Sequence, residues 1–367
     1  MRIGIDASSL VGDKGGVGWH TYHLLKALLQ LDEKTDYVGY LRPGSLQAGQ
    51  LSGWPSRSRM QWMETPRWLM SWRGRWDRLD LYHGPNFKMH TTGRYGGIVT
   101  IHDLWLARHP EYSRKLFGQA GSSRRAIATA KRARKVVTVS EFSAREIESL
   151  YGIPRDHVRV IYNGVSEDFT PLCDDQIQAE VRTRWSIPSA GFILFVGGAD
   201  PRKNHVGFLQ AVGACRSQLG GRAIVLVGDA EHPQGSYTAT AQSLGLEQEV
   251  RCTGRLDRED LRRLYSCADL FVFPSHYEGF GMPVLEAMAC GAPTVTSSTS
   301  SLPEVAGDAA LLVDPNNVEE LAHAMVTVLS DTHLRENLRQ RGYERARLFT
   351  WQRAAVSTSA LYRELCT

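Results

Sequence analysis

Residues 192–204, FILFVGGADPRKN, contain the pattern that decides the fold class. Five large apolar residues end in two glycines, and the cations Arg202 and Lys203 follow just before an amphipathic stretch that begins at His205. Continuous apolar runs of this kind are typical of parallel strands that helices cover on both faces. The stretch therefore predicts a strand, a turn and a helix, with cations at the carboxyl end of the strand, where open α/β sheets bind ligands.

The same alternation of short apolar runs and amphipathic stretches extends over all 367 residues. It predicts an α/β protein with two doubly wound domains, and the length is sufficient for both. Pro171, Pro188 and the acidic pair Asp174–Asp175 mark the boundary. We predict domains over 1–168 and 169–349, and a C-terminal helix over 350–367 that returns to the first domain.

Charge is distributed unevenly along the chain. Residues 1–170 hold 25 Lys/Arg and 16 Asp/Glu, whereas the remaining residues hold 18 and 23. This asymmetry indicates that only the first half faces an anionic partner. The composition excludes a collagen-like, coiled-coil or globally disordered chain. No apolar run reaches the roughly 18 residues of a membrane span, and no signal segment is evident, so we predict a cytoplasmic protein.

Two glycine-rich segments are candidate binding loops. Gly15-Gly16-Val17-Gly18 follows the first strand and predicts either a plain turn or a loop that approaches a phosphate or sugar. It lacks the third glycine of a dinucleotide fingerprint. Residues 273–288, FPSHYEGFGMPVLEAM, place Glu278 on a loop and Glu286 in the first turn of a helix with Pro283 at its first position.

The two carboxylates can bind two hydroxyl-bearing parts of one ligand, with free backbone amides between them for an anion. An alternative for Glu286 is a surface acid that compensates the helix dipole. His102-Asp103 and His83 follow further strands, where either a structural or a ligand-binding role is open.

The sequence resembles the retaining nucleotide-sugar glycosyltransferases of family 4, over essentially its whole length. The specific motif is Glu-x7-Glu, present as Glu278 and Glu286. Supporting segments are PRKN (201–204), GGVG (15–18), TIHD (100–103), VSEFSA (139–144), YNGV (162–165) and SLPEVAGDAALLVDP (301–315).

The resemblance implies the GT-B fold, two Rossmann-like domains facing across a cleft, with the donor on the second domain and the acceptor on the first. It implies that Glu286 holds the ribose, that Glu278 contacts the donor sugar, and that Arg202 and Lys203 stabilise the leaving diphosphate. His102 would lie near the anomeric carbon, so the implied catalytic residues are His102, Glu278, Arg202 and Lys203. The implied donor-binding residues are Gly16, Gly198, Arg202, Lys203, Leu256, Glu278, Phe280, Gly281, Met282 and Glu286. The implied acceptor-side residues are Gly15, Gly16, His83, His102 and Asp103.

One departure from the family is that Ala199 stands where many relatives carry an arginine, which leaves the cationic role to Arg202 and Lys203. No Asp-x-Asp loop is evident, so we expect no metal and no cofactor besides the nucleotide sugar. The interpretation is a hexosyltransferase of surface polysaccharide synthesis, such as lipopolysaccharide, that resembles mannosyltransferases and favours GDP-mannose. The alternatives are a nucleotide-sugar epimerase of the same fold and a non-catalytic binding subunit.

Two basic stretches remain. Residues 54–78 hold five tryptophans and six arginines, and residues 108–135 hold nine basic residues and one acidic residue. One interpretation is peripheral contact with an anionic membrane, at the inner face of the cytoplasmic membrane, or with a lipid-linked glycan acceptor. The other is an ordinary solvated surface. No recognisable module for nucleic acid accompanies these residues.

Overall fold

The computed structural model describes residues 1–12, 14–31, 34–46, 59–109, 122–172, 174–232 and 235–367. The chain forms two compact units. Unit 1 comprises Met1–Gly164 and Thr350–Thr367, and unit 2 comprises Val165–Phe349. The division lies four residues before the expected boundary at 168/169.

Unit 1 contains a parallel sheet of seven strands in the order β3-β2-β1-β4-β5-β6-β7. The strands are β1 (Arg2–Asp6), β2 (Asp36–Leu41), β3 (Met60–Glu64), β4 (Leu81–Gly84), β5 (Gly97–Ile101), β6 (Lys135–Thr138) and β7 (Val158–Val160). The described helices of its first segment are α1 (Gly16–Leu31), α2 (Met70–Trp76), α3 (Trp105–Arg108), α4 (Ser122–Arg132) and α5 (Glu141–Tyr151). The strand order reverses at β1, which lies between β2 and β4, so a ligand crevice is expected beyond the carboxyl ends of β1 and β4.

Unit 2 contains a parallel sheet of six strands in the order β12-β9-β8-β13-β14-β15 and a separate hairpin of two short strands. The strands are β8 (Phe192–Val196), β9 (Ala223–Val227), β10 (Glu231–His232), β11 (Gly235–Ser236), β12 (Val250–Gly254), β13 (Leu270–Phe273), β14 (Thr294–Ser297) and β15 (Leu311–Val313). Its helices are α6 (Asp175–Arg184), α7 (His205–Cys215), α8 (Tyr237–Ser243), α9 (Arg258–Cys267), α10 (Met282–Cys290), α11 (Leu302–Ala306), α12 (Val318–Ser330) and α13 (Thr332–Arg347). The corresponding switch point lies between β8 and β13.

The C-terminal helix α14 (Trp351–Leu365) packs against α1 within unit 1. Thr350 caps its first turn by accepting a hydrogen bond from Arg353 N at 3.2 Å. Gly164 allows this packing, because a Cβ at that position would lie 2.2 Å from Trp351 N. The expected fold class, two parallel-sheet α/β domains with a returning C-terminal helix, is therefore confirmed.

The predicted strand at the start of residues 192–204 is present as β8, and the predicted alternation of short apolar strands and helices is present in both units. Strand β3 and the β10–β11 hairpin were not expected from the sequence. β3 reads Met-Gln-Trp-Met-Glu and lies at the edge of its sheet, so only its first residue is buried and it lacks an apolar run. The expected start of the helix that carries Glu286 was wrong by one residue. Helix α10 begins at Met282, so Pro283 is its second residue and Glu286 lies in its second turn.

Candidate functional site

Glycines end three neighbouring strands at the carboxyl edge of the unit 2 sheet. Gly197 and Gly198 follow β8, Gly228 follows β9, and Gly254 ends β12. Gly228 has φ of +130°, and a Cβ there would lie 2.4 Å from Gly197 O. Its amide donates to Gly254 O at 2.9 Å. Side chains are thus excluded where the three turns meet, which leaves backbone surface for a ligand. Gly228 stands alone after its strand, outside any glycine-rich segment, so the sequence pattern did not indicate its role.

Lys203 and Glu278 form an ion pair at this edge, between the loops that follow β8 and β13. Lys203 Nζ lies 2.6 Å from Glu278 Oε1, and both side chains are largely buried. The lysine stem passes close to Gly197, and its ammonium lies 5.0 Å from the ring centroid of Phe273. The ammonium is therefore fixed by a carboxylate and an aromatic ring at the topological switch point, where α/β sheets bind ligands.

The turn that carries the cations is held at both ends. Asp200 accepts from Arg202 N at 2.9 Å, and its carboxylate lies 3.4 Å from the Arg202 guanidinium. Asn204, at φ of +59°, donates to Pro274 O and Pro315 O and accepts from Gly207 N. The PRKN segment is thus a rigid turn, in which Asn204 ties the β8 loop to the β13 loop. Ala199, the departure from the family pattern, is fully buried.

Serine side chains at the end of β14 and just after it hold the loop that carries Glu278. Glu278 N donates to Ser300 Oγ at 3.1 Å, while Ser301 Oγ donates to the carbonyls of Glu278 and Phe280, each at 2.9 Å. Ser297 Oγ donates to Ser275 O at 2.7 Å. The SLPEVAGDAALLVDP segment had been noted without a role, and the structure shows that its first residue, Ser301, supports this loop.

The loop ends at the N-terminus of α10. Gly281 precedes the helix with φ of +105°, a conformation that glycine adopts without strain. A Cβ at Gly281 would also lie 2.6 Å from Leu302. Phe280 is buried, and its ring centroid lies 5.8 Å from that of Phe349. This packing holds the residue before Gly281 in place, and with it the backbone amides of the first helical turn. An anion is favoured at such a helix start.

Glu286 lies in the second turn of α10 and faces Tyr265, whose hydroxyl lies 3.4 Å from Glu286 Oε2. Burial raises the pKa of Glu286 to about 7, although Arg258 and the Tyr265 hydrogen bond act in the opposite direction. Glu286 is half-buried against Tyr265 in the second turn of α10, so the alternative of a surface acid that compensates the helix dipole does not fit. Glu286 is a carboxyl group poised to change charge near neutral pH.

Leu256 lies just after Gly254 and is partly buried. The adjacent Arg255 forms a bidentate ion pair with Asp229, with nitrogen–oxygen distances of 2.6 and 2.9 Å. Because Asp229 follows Gly228, this pair joins the loops after β9 and β12. Leu256 therefore lies beside the glycine turns, on the opposite side of β8 from Glu278 in the strand order.

In unit 1, His102 follows β5 and is buried. Its Nε2 lies 2.7 Å from Pro85 O and must donate to it, which leaves Nδ1 as the acceptor nitrogen. Burial lowers the pKa of His102, partly offset by the Pro85 hydrogen bond and by Asp103, so the ring is neutral at pH 7. Asp103 accepts from Trp105 N at 3.1 Å and lines a cavity of this unit.

The structure corrects the expectation for His83. Both of its ring nitrogens bond within the protein, Nδ1 to the Tyr362 hydroxyl at 2.7 Å and Nε2 to Thr100 Oγ1 at 2.8 Å. The side chain is buried between β5 and α14, and burial lowers its pKa to about 3. His83 thus holds the C-terminal helix in place and presents no free nitrogen to an acceptor.

The GGVG loop divides into two parts. Gly15 and Gly16 are exposed at the start of α1, and a Cβ on Gly15 would meet open space. Gly18 is buried, and a Cβ there would lie 2.6 Å from Ser9 O. Close packing therefore explains why residue 18 is a glycine, while the exposed Gly15 and Gly16 leave the N-terminus of α1 accessible.

Within the described part of the chain, no three His, Cys, Asp or Glu side chains come together as a possible metal site. None of the described helices has both the length and the apolar character needed to cross a bilayer.

Comparison with known proteins supports one family throughout. Residues 14–169 match "Glycosyltransferase Family 4", and residues 179–345 match "Glycosyl transferases group 1". The O-antigen chain mannosyltransferase B of Escherichia coli is 34% identical over 289 residues, which cover 78% of this chain and 74% of that protein. The serotype-specific mannosyltransferase WbdA of Escherichia coli is 33% identical over 234 residues, which cover 62% of this chain but only 28% of that longer protein.

Among solved structures, that of Anabaena HepE in complex with UDP and glucose has a TM-score of 0.79. It is 20% identical and covers 99% of this chain and 100% of that chain, which is a likeness of fold. The resemblance first read from Glu278 and Glu286 is therefore confirmed at the level of the family. The chain belongs to the family 4, group 1 glycosyltransferases and is similar to their mannosyltransferase members.

Proposed function

We propose that the chain transfers a hexose, with retention of anomeric configuration, from a nucleoside-diphosphate sugar bound by unit 2 to an acceptor hydroxyl on a glycan bound by unit 1. The observation that carries this proposal is the Lys203–Glu278 pair beside the glycine turns of unit 2. A fixed ammonium among backbone amides suits a diphosphate, and a carboxylate next to it suits sugar hydroxyls.

The roles follow from the contacts. Negative charge grows on the diphosphate as the glycosidic bond breaks, and Lys203 and Arg202 stabilise that charge, so they act mainly in the transition state. Glu278 holds Lys203 in position and accepts from hydroxyls of the donor sugar. The amides of Phe280, Gly281 and Met282, at the start of α10, and the turn at Gly198 contact the phosphates.

Glu286 and Leu256 complete the nucleotide side. Glu286 accepts from the ribose hydroxyls in its ionised form, and the backbone at Leu256 meets the base. In unit 1, the exposed amide of Gly16 contributes to the donor phosphates and Gly15 to the acceptor side, while neutral His102 offers Nδ1 as a hydrogen-bond acceptor for the sugar. Protein cations replace a divalent metal in this scheme.

The activities of the relatives guide the choice of substrate. Two Escherichia coli relatives are mannosyltransferases, one of them for the O-antigen chain, which favours mannose and surface polysaccharide. We propose GDP-mannose as the donor, although the HepE structure contains UDP and glucose. Thermal unfolding with a panel of GDP-, UDP- and dTDP-linked hexoses tests this choice, because a ligand at a hundred times its Kd stabilises the fold by about 2.7 kcal/mol.

Transfer itself is tested with the stabilising donor and a panel of glycan acceptors. Incubation with the donor alone separates the rivals, because an epimerase converts the donor sugar without any acceptor. Epimerised donor, or binding without transfer to any acceptor in the panel, would contradict the proposal.

We also propose peripheral contact between unit 1 and an anionic membrane. Trp72 and Trp76 in α2 are 58% and 61% exposed, and Trp68, in the turn just before this helix, is 75% exposed. Four-residue spacing places Trp72 and Trp76 on one helical face, and Arg75 is exposed on the same helix. Exposed tryptophans with arginine are typical of membrane-interface segments. Residues 54–58, in the same basic stretch, lie outside the described residues.

Co-sedimentation with phosphatidylglycerol and phosphatidylcholine vesicles tests this contact. We expect salt-sensitive binding to the anionic vesicles that the triple change of Trp68, Trp72 and Trp76 to alanine reduces at least about tenfold. Val356, exposed on α14, gives a control as Val356→Ala, which should bind like the unchanged protein. Equal binding by all three proteins would rule out the tryptophan face as the contact.

A further inference from the structure

The carboxyl edge of the unit 1 sheet contains a cavity that the donor scheme does not use. Its volume is about 710 Å³, within the range of small-molecule sites. The loops after β4 and β5 and the helix α4 form its walls, and the lining residues include Asn86, Lys88 and Asp103. A smaller adjoining cavity of about 310 Å³ reaches Asp6 at the end of β1, and both are lined by Lys88 and Arg67. The pair therefore lies at the β1–β4 switch point, where this sheet is expected to bind a ligand.

Cations dominate the larger cavity. Arg67, Lys88, Arg125 and Arg132 line it, and Asp103 is the one carboxylate among the described residues of its wall. No described carboxylate forms an ion pair with Arg67, Lys88 or Arg132 in the structure. Burial lowers the pKa of His90 in the same wall, and Arg67 and Lys88 lower it further despite the opposing effect of Asp6. The cavity thus disfavours another positive charge and favours a negative one.

Helix α4 presents two of these cations with space between them. Arg125 and Arg132 are seven residues apart, so they lie on the same helical face about 10 Å apart along the axis. Ala128 and Thr129 lie between them on the cavity wall and are small. An anion of two or more oxygens can be gripped from both sides there, because guanidinium groups bind phosphate with paired hydrogen bonds.

Polar and apolar groups complete the wall. Asn86 is buried, donates to Ser8 Oγ at 3.2 Å, and its Oδ1 has no hydrogen-bond partner in the described structure. Phe87 and Leu104 give the cavity an apolar side. A ligand for this cavity therefore combines phosphate oxygens, hydroxyl groups and an apolar surface, as sugar phosphates do.

We infer that this cavity binds a phosphate ester carried by the acceptor, gripped by Arg67, Lys88, Arg125 and Arg132. The inference rests on the proposed function, since it names the chemistry of the acceptor that unit 1 receives. The phosphate can come from a soluble sugar phosphate or from a lipid-linked glycan phosphate, and the experiment separates these two sources.

The test is calorimetric titration of the full chain with inorganic pyrophosphate. The cavity variant is Arg125→Ala/Arg132→Ala. The matched control is Arg124→Ala/Lys131→Ala, which removes two exposed cations from the same helix at positions that do not line the cavity. Because pyrophosphate can also bind the donor site, a third protein, Arg202→Ala/Lys203→Ala, lacks the cations of that site and is titrated in the presence of saturating GDP, so that the remaining pyrophosphate binding reports on unit 1. Thermal unfolding verifies that each variant folds, and Lys88→Ala, on a different element, provides a second cavity variant.

We expect the third protein to retain pyrophosphate binding, and the cavity changes added to it to weaken that binding at least about tenfold, as loss of charged hydrogen bonds does. The control changes should shift the Kd by less than about twofold. Equal weakening by the cavity and control changes, or no pyrophosphate binding in the third protein, would overturn the inference.

Two further titrations identify the source of the phosphate. They use mannose 1-phosphate, with mannose as its control, and vesicles that contain phosphatidylglycerol. The source is the probe whose binding the cavity variant loses and the control variant keeps. GDP-mannose binding is measured on the same samples, so that failure of the donor proposal in unit 2 is distinguished from failure of the phosphate site in unit 1.

Discussion

The carboxyl edges of the two sheets share the same topology, but the cations at these edges differ in whether a carboxylate pairs with them. In unit 2, each cation near the edge already has a carboxylate partner, as in Lys203–Glu278, Arg202–Asp200 and Arg255–Asp229. In unit 1, Arg67 and Lys88 line the cavity without such a partner among the described residues. Counted over the sequence, unit 1 holds 27 Lys/Arg and 15 Asp/Glu, and unit 2 holds 16 and 24.

The difference indicates what each edge is built to do. Paired charges fix side chains in one geometry, which suits a reaction in which charge develops at a defined place. Cations around an open cavity suit recognition of an anion that binds and leaves. The difference agrees with the proposal that the chemistry lies in unit 2 and much of the acceptor recognition in unit 1.

The largest expected effect is on turnover, at the ion pair of unit 2. Lys203→Ala should reduce kcat by about 100- to 1000-fold, corresponding to about 2.7–4 kcal/mol, while the donor Kd changes much less, because charge on the diphosphate is greatest in the transition state. Arg347→Ala, at an exposed position of α13, is the control. A Kd that collapses while kcat is preserved would contradict the assignment of Lys203 to the leaving group.

The next effect separates the two carboxylates of the Glu-x7-Glu motif. Glu286→Ala should weaken binding of the bare nucleoside diphosphate about tenfold, since the ribose loses a charged hydrogen-bond acceptor. Glu278→Ala should leave that binding within about twofold and reduce transfer. Calorimetry with GDP distinguishes the two, and equal losses in both variants would show that the carboxylates do not divide between nucleoside and sugar.

The site around Glu278 shows which features the sequence could predict and which it could not. Apolar runs and glycine turns predicted both sheets, because their central strands are buried on both faces. The resemblance also implied that Glu278, Glu286 and the cations of PRKN share one donor site, which stays a prediction. The pairing of Lys203 with Glu278 could not be read from the sequence, because the two residues lie 75 positions apart and meet only through the order β8-β13.

Two further features depended on three-dimensional packing. In the sequence, His83 and His102 both lie at the end of an apolar run, but His83 lies within β4 and Tyr362 occupies one of its nitrogens, a contact between residues 279 positions apart. The sequence shows that residues 108–135 are basic. It does not show that Arg125 and Arg132 line a cavity while Arg124 and Lys131 do not, because the cavity walls come from distant parts of the chain. Residues 110–121 of that stretch lie outside the described residues.

A smaller effect concerns pH in unit 2. The raised pKa of Glu286, about 7, favours the protonated form in the folded state. Its contribution to stability is thus fully present below the unfolded pKa near 4.5 and is lost as pH rises through about 7. Nucleotide binding should show the reverse trend, becoming tighter from pH 6 to pH 8, because the ionised carboxylate accepts from the ribose. Glu286→Gln should flatten both profiles, and an unchanged binding profile in that variant would exclude Glu286 as the titrating group.

Unit 1 should respond to pH in the opposite sense. Burial lowers the pKa values of His20, His83 and His102, so the folded state keeps these rings neutral. The unfolded chain takes up protons below about pH 6.5, and stability therefore falls as pH is lowered from 6.5 towards 3. Urea unfolding of the full chain at pH 7.5 and 5, compared with His83→Gln, measures this. A pH dependence identical in the two proteins would remove His83 from the explanation.

The smallest expected effect is that of a chelator. Because protein cations flank the proposed diphosphate site, transfer should proceed at an unchanged rate in excess EDTA. Loss of activity that Mg²⁺ or Mn²⁺ restores would contradict a metal-independent reaction.

The division of labour between the two edges is tested most directly by one set of titrations. The chain, Glu286→Ala and Arg125→Ala/Arg132→Ala are each titrated with GDP and with the phosphate probe, mannose 1-phosphate or phosphatidylglycerol vesicles, that the unchanged chain binds. The account predicts that the unit 2 variant loses affinity for GDP and keeps the phosphate probe, whereas the unit 1 variant loses the phosphate probe and keeps GDP. Loss of both ligands in either variant, or of neither ligand in both, would contradict it.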